Sequence, residues 1–267
     1  RCRASSKQQC DVRPAVAPAL IEFDDVSFHY PQQSAPAVQG LTFSIHSGQL
    51  VALVGGNGSG KSTVGKLLAG LYSPTKGCIR WDGVNVDAID AATIADHVAH
   101  IGQEPVHWPV TAADNIRIGR LDKDHRTGDR WRASARVSGA DSLIARLPDG
   151  PGTVLSALFA RGTGLSTGQW QRLAVARANY RDAHVLIADE PTSALDAAAE
   201  QTVFATLGTT HRDARMTVLI THRLANIRHA DLIILLDDGR IAEAGTHREL
   251  LDLGGRYADL CRDSPGG

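Results

Sequence analysis

An α/β fold, built on a mostly parallel sheet and interrupted by a helical insertion, is what three observations on this 267-residue chain predict. An apolar strand, Leu50 to Val54, passes through a glycine-rich turn into a helix that begins at Lys61. Two short aliphatic runs, "HVLIADE" (184–190) and "TVLITH" (217–222), are separated by a helical stretch, Ala197 to Leu207. Strand–helix–strand order implies crossover connections, and crossovers make strands parallel. The third observation is that residues from roughly 104 to 182 carry helical stretches and no convincing strand.

Each element follows from local chemistry. Residues 1 to about 19 include "RPAVAPAL", where Pro and Ala without periodicity predict an extended linker. From Ile21, "LIEFDDVSFHY" alternates as a strand does, and "LTFSIHSGQLVALVGG" reads as a strand, a turn at Ser47-Gly48 and the buried strand Leu50 to Val54. The helix from Lys61 runs to about Leu71. After the two aliphatic runs, "LIILLDDGRIAEAG" predicts a strand, a tight Asp-Gly turn and a returning strand. A terminal helix, about 247 to 261, closes the chain. No repeat of 20 to 50 residues is visible.

Composition sets limits. At 43% hydrophobic and 21% charged the chain has the make-up of a globular protein. A formal net charge of −1 gives no global attraction to nucleic acid or anionic membrane. The aliphatic run Leu232 to Leu236 falls far short of the roughly 20 apolar residues that cross a bilayer. Cys2, Cys10, Cys78 and Cys261 lie far apart without metal-ligand spacing, and a reducing cytosolic setting is the simplest reading. The chain begins at Arg1 and its one methionine is Met216, so it is expected to be a segment of a longer product.

"GGNGSGKST", Gly55 to Thr63, satisfies G-x-x-x-x-G-K-[ST] between a strand and a helix. Consecutive backbone N–H groups of Gly55, Asn57, Gly58, Ser59 and Gly60 can wrap phosphates, because glycine lets them come close. Lys61 supplies a point charge for β- and γ-phosphates, and Ser62 an oxygen for Mg²⁺, with Thr63 beside it. "VLIADE" places Asp189 and Glu190 at a strand's C-terminal end, where open α/β sheets bind ligands. Asp189 suits the Mg²⁺ shell and Glu190 can polarise an attacking water. His222 ends the next strand and should reach the same sheet edge. "GTGLSTGQ" leads into a firm helix; it reads either as an ordinary loop or as a helix start built to hold an anion.

With the P-loop, "LSTGQ" and "ADEPTSALD" in this order, the chain resembles the nucleotide-binding domains of ATP-binding cassette (ABC) transporters from about Ile21 to Leu260. The resemblance implies a P-loop NTPase core with a mostly parallel sheet, an N-terminal antiparallel β subdomain and an inserted α-helical subdomain. Core and β subdomain would take about 20–103 and 183–250, and the helical subdomain about 104–182. It further implies that Tyr30 stacks on adenine with Val38 beside it. Gln103 would touch Mg²⁺ and sense the γ-phosphate, together with Ser62 and Asp189 as the metal group. Glu190, His222 and Lys61 would be catalytic. Ser166, Thr167, Gly168 and Gln169 would form the signature motif acting on the ATP of a second cassette, and Asp196 the D-loop crossing between partners. Two ATP–Mg²⁺ would then be sandwiched head to tail, and hydrolysis would loosen the pair.

Departures from the family pattern carry expectations of their own. Thr167 stands where glycine is usual, which should weaken the signature without abolishing it. Ala188 stands where a bulkier aliphatic residue usually precedes the aspartate. "LFARGTG" lacks the glutamate pattern of multidrug exporters. "THRL", the ending "DGRIAEAGTHRELLDLGGRYADL" and a linker-like start resemble exporter half-transporters, in which a membrane domain precedes the cassette. The implied setting is the cytoplasmic face of the plasma membrane, with no nucleic-acid partner. His107, Trp108 and Pro109 are the candidates for touching the membrane domain. A soluble ABC ATPase of nucleic-acid repair or translation, or a weakly hydrolysing nucleotide-responsive module, are the alternatives.

Overall fold

The structure is a computed structural model that describes residues 17–31, 33, 35–121, 130–159, 161–192, 200, 203–204 and 215–263. Most of the expected linker, Asp196 and most of the expected helix Ala197 to Leu207 lie outside the described residues.

Two sheets carry the fold. Strands β1 (Leu20–Phe28), β2 (Val38–His46), β4 (Lys76–Trp81) and β5 (Val84–Asn85) form an antiparallel sheet in the order β2-β1-β4-β5. The second sheet has the order β10-β9-β3-β8-β7-β6, from β3 (Leu50–Val54), β6 (Val98–Ile101), β7 (Val185–Asp189), β8 (Met216–Ile220), β9 (Leu232–Asp237) and β10 (Arg240–Gly245). Its pairs are parallel except β9 with β10. That exception is the expected hairpin: Asp238 and Gly239 both have positive φ, 45° and 74°, as a tight primed turn requires.

The central strands β3, β7 and β8 are buried at every residue, because helices cover both faces. On one face α1 (Lys61–Leu68) sets Val64, Leu67 and Leu68 against Val51, Leu53, Ile187 and Ile220. On the other, α6 (Thr167–Arg181) brings Ala174, Val175 and Ala178 to Ala52, Leu186 and Leu219. The helical layer α3 (Ala112–Arg117), α4 (Arg130–Val137) and α5 (Ala140–Ile144) has a core of its own around Ile116, Trp131, Leu143, Trp170 and Leu173. Helix α6 therefore belongs to two cores and mechanically joins the helical layer to the sheet.

Three expectations change. Helix α1 stops at Leu68, and Gly70 has a left-handed φ of 67°. Residues 76 to 101 hold β4, β5, α2 (Ala91–His97) and β6, none of which the sequence pattern disclosed. The single terminal helix is two, α7 (His247–Leu253) and α8 (Arg256–Asp263). Gly254 ends α7 at φ 65°, and a Cβ on Gly255 would lie 2.3 Å from Glu243 Oε1. The Gly-Gly pair breaks the helix so that Tyr257 can turn into the core, where it is fully buried.

Candidate nucleotide site

Register alone gathers the site. Leu53 lies opposite Ile220, Ile220 opposite Asp189, and Ala188 opposite Ile101. One or two residues beyond those parallel strand ends come Gly55, His222, Glu190 and Gln103, all at the carboxyl edge of one sheet.

The loop after β3 is fixed by backbone contacts that side chains would spoil. A Cβ on Gly55 would lie 2.1 Å from the Leu236 carbonyl, and one on Gly60, at φ 101°, 2.7 Å from the Ala37 carbonyl. Lys61 is almost fully buried; its ammonium donates to the carbonyls of Gly55 (2.9 Å) and Gly56 (2.7 Å) and to Ser59 Oγ (3.3 Å). Burial pulls that ammonium below its ordinary value, while Glu190 and Asp189 push it back up. Gly60 caps α1 in a left-handed conformation, so the helix opens with unpaired N–H groups at the loop.

Asp189 is buried, and burial raises its carboxyl above the ordinary value against a hydrogen bond from Ser62 and the charges of His100 and Lys61. A desolvated carboxylate bonded to a serine hydroxyl, with Gln103 two residues past the adjoining strand, supplies hard oxygen donors to this edge. Such a set fits Mg²⁺, which takes one or two carboxylates and completes its shell with phosphate oxygens and water.

Glu190 is held at φ 46°, a strained backbone for a non-glycine residue, with its N–H bonded to the Ile220 carbonyl at 2.9 Å. Its Oε1 lies 3.0 Å from His222 Nδ1. The two expected catalytic groups thus meet directly.

Tyr30 follows β1 and is half-buried, its hydroxyl 3.2 Å from Thr63 Oγ1 and its ring edge-on to Phe28 and Tyr72. Lys66 sits 5.6 Å from the ring centroid. Val38, by contrast, is fully buried and would meet any side chain at Gly60 with its Cγ1. It supports the loop from beneath and presents no surface to a base. Gln103 is exposed at the end of β6. Tyr72, Lys66 and His100 are neighbours of the site that the motifs did not point to. Tyr72 sits in "GLYSP" just past α1, and its position depends on a tertiary contact that no local spacing reveals.

Ser166 is the N-cap of α6, accepting from Gln169 N–H at 3.3 Å, while Gln169 Oε1 accepts from Ser166 N–H at 2.8 Å. This capping box uses the serine's lone pair and leaves its hydroxyl proton available to an anion. Thr167 is exposed at the first helical position. The "LSTGQ" stretch is thus a capped helix start in the helical layer.

Between that layer and the sheet lies a groove of about 490 Å³, lined among others by Glu104, Val106, Trp108, Arg177 and Arg181. Trp108 is on its wall. His107 instead stacks on Trp170, 4.4 Å between centroids, and Pro109 is exposed. Leu158, 94% exposed, and Phe159 stand out from the loop that precedes α6.

A phosphate loop, a carboxylate edge and a separately cored helical layer define a P-loop nucleotide-binding domain of a particular kind. The ABC transporter family profile matches residues 38–193, and the chain belongs to that family. It is similar over 248 residues, at 41% identity, to the mycobactin import ATP-binding/permease protein IrtB of Mycobacterium tuberculosis, covering 93% of this chain and 42% of that protein. An ATP-dependent lipid A-core flippase of Alkalilimnicola ehrlichii is 42% identical over 246 residues, 92% of this chain and 41% of the relative. The structure of a bacterial Atm1-family ABC exporter with ATP bound superposes with a TM-score of 0.86 at 33% identity, over 99% of this chain and 45% of that one. The chain spans less than half the length of these relatives.

Proposed function

We propose that this domain binds ATP with Mg²⁺, pairs head to tail with a second cassette around two nucleotides, and hydrolyses them to drive export through a membrane domain. The observation that carries the reading is the 3.0 Å Glu190–His222 contact on the sheet edge that also bears Lys61 and Asp189.

Each group has a task. Tyr30 offers a ring for the adenine, and the N–H groups from Gly55 to Gly60 cradle the phosphates. Lys61 turns from its loop carbonyls to the γ-phosphate, an exchange of neutral acceptors for an anionic one. Glu190 accepts a proton from the attacking water, and His222, bonded through Nδ1, keeps Nε2 for the γ-phosphate. When bound, Mg²⁺ would be held by Ser62, Asp189 and Gln103 and would neutralise developing charge on the phosphates. Ser166 and the first N–H groups of α6 grip the γ-phosphate of the partner cassette's ATP, so the triphosphate bridges two molecules. Its cleavage removes the bridge. Asp196 would cross between partners.

A membrane domain fused ahead of Arg1 would dock on the groove beside Trp108, which places the cassette at the cytoplasmic face of the cell membrane. Leu158 and Phe159, exposed on the loop before α6, favour an apolar contact with such a domain, where multidrug exporters carry glutamate. Exporter-type motifs support export, although one relative is named for import. Nothing in the charge pattern favours nucleic acid. Phosphate release from ATP, abolished by Glu190→Gln and stimulated in the membrane-assembled protein, tests the reading; equal rates with and without Glu190 would overturn it.

A further inference from the structure

We propose that Glu200 is a positioning residue for the Glu190–His222 pair. Its carboxylate, with the side chain 14% exposed, accepts from three side chains on two other segments at once. Thr192 Oγ1 donates to it at 3.2 Å, the Arg223 guanidinium pairs with its Oε2, and Asn226 Nδ2 donates at 2.8 Å. Thr192 lies two residues after Glu190 and Arg223 one residue after His222, so a single carboxylate ties the chain beyond both partners. Arg223 N–H also donates to Thr221 Oγ1 at 3.0 Å, tightening the turn that carries His222.

The need for such a tie is visible at His222. Its side chain is 59% exposed, and among the described residues its ring bonds only Glu190. Packing does little to orient the imidazole, so its aim depends on where the backbone of Thr221–Arg223 is pinned. Glu190 is likewise on strained backbone, which persists only where the surroundings over-determine it. An ordinary ion pair would bridge two segments; this one closes a triangle around the reacting edge. It rests on the assignment of Glu190 and His222 above.

The test is steady-state ATP hydrolysis by the full natural chain with Glu200→Gln, alone and combined with His222→Ala. Glu200→Gln keeps the shape and acceptor oxygen but removes the charge facing Arg223. We expect kcat to fall about tenfold or more at nearly constant KM, the signature of an interaction that matters in the transition state. In the His222→Ala background the same change should cost less than about twofold, because the group it positions is gone. Thr192→Val, which leaves the charge pair intact, should give the same kcat-only loss in milder form. Unaltered kcat in folded Glu200→Gln, or equal losses in both backgrounds, would overturn the proposal. So would a Glu200→Gln chain that fails to fold while Thr192→Val turns over normally. If His222→Ala alone leaves turnover intact, it is the catalytic assignment that fails instead.

Discussion

Glu190 Oε1 and His222 Nδ1 stand 3.0 Å apart, joined across adjacent parallel strands whose ends are matched by the Asp189–Ile220 register. On the proposed assignment, the carboxylate that orders water and the imidazole that reads the phosphate act as one unit. Glu190→Gln is expected to lower ATP turnover at least about 100-fold, the scale of positioned acid–base groups. His222→Ala should do nearly the same, and the double variant should be little worse than either. Phosphate-release kinetics on the three proteins check this; multiplicative losses would mean the two act separately.

Tyr30 is braced on one side by Phe28 and Tyr72 and near its hydroxyl by Thr63. Stacking on an aromatic side chain is worth about 1–3 kcal/mol per base, so Tyr30→Ala should raise the KM for ATP by roughly tenfold with kcat nearly kept. Tyr30→Trp should restore it. A titration with a fluorescent ATP analogue reads the same change as binding.

Gly60 carries φ 101°, with the Ala37 carbonyl where a Cβ would go. Gly60→Ala should destabilise the domain by about 1–3 kcal/mol before any nucleotide is added. Thermal melting without ATP measures it, and the phosphate loop should also lose affinity. Gly58, whose Cβ would meet nothing, is the matched control: its φ of 78° is strained for alanine, but no clash is added.

Acid should weaken the fold at a place remote from the nucleotide. His97 Nδ1 lies 3.1 Å from His184 Nδ1, linking α2 to the start of β7. Burial lowers the His97 value below 6.5, with His184 and Arg120 adding to the effect and Asp96 opposing it. The unfolded chain therefore binds more protons there as pH falls below 6.5, and stability present above that pH is lost on the way down to the lowered value. Melting temperature should decline as pH falls through 6.5, and His97→Gln should flatten the decline. An unchanged slope in that variant would remove the pair from the explanation.

How much of this was legible in the sequence depends on how local the signal is. Asp189, Glu190 and His222 were readable because they end or closely follow strongly apolar strands, and Lys61 because it opens the helix after the glycine loop that leaves β3. The sequence leaves the helix start at Ser166 as either a loop or an anion-holding cap, and the structure adds the capping box with Gln169. Strands β4 and β6 were not readable: Lys76–Trp81 owes its place to pairing with β1, and the four residues of β6 are too few for a periodicity. Val38 shows the reverse limit. The resemblance placed it beside the base, but the closeness of Gly60 to β2 puts its side chain under the loop. The Gly254-Gly255 break was missed, because the close approach of the distant Glu243 carboxylate to Gly255 has no local signal.

The mass of the Glu190→Gln domain in solution tests the central claim most directly. Light scattering in ATP–Mg²⁺ should show it double, and a further Ser166→Ala change, costing α6 only about 1 kcal/mol of cap, should return it to a single cassette. A Glu190→Gln domain that binds ATP and stays single, or pairs equally well without Ser166, would contradict a triphosphate shared between two molecules.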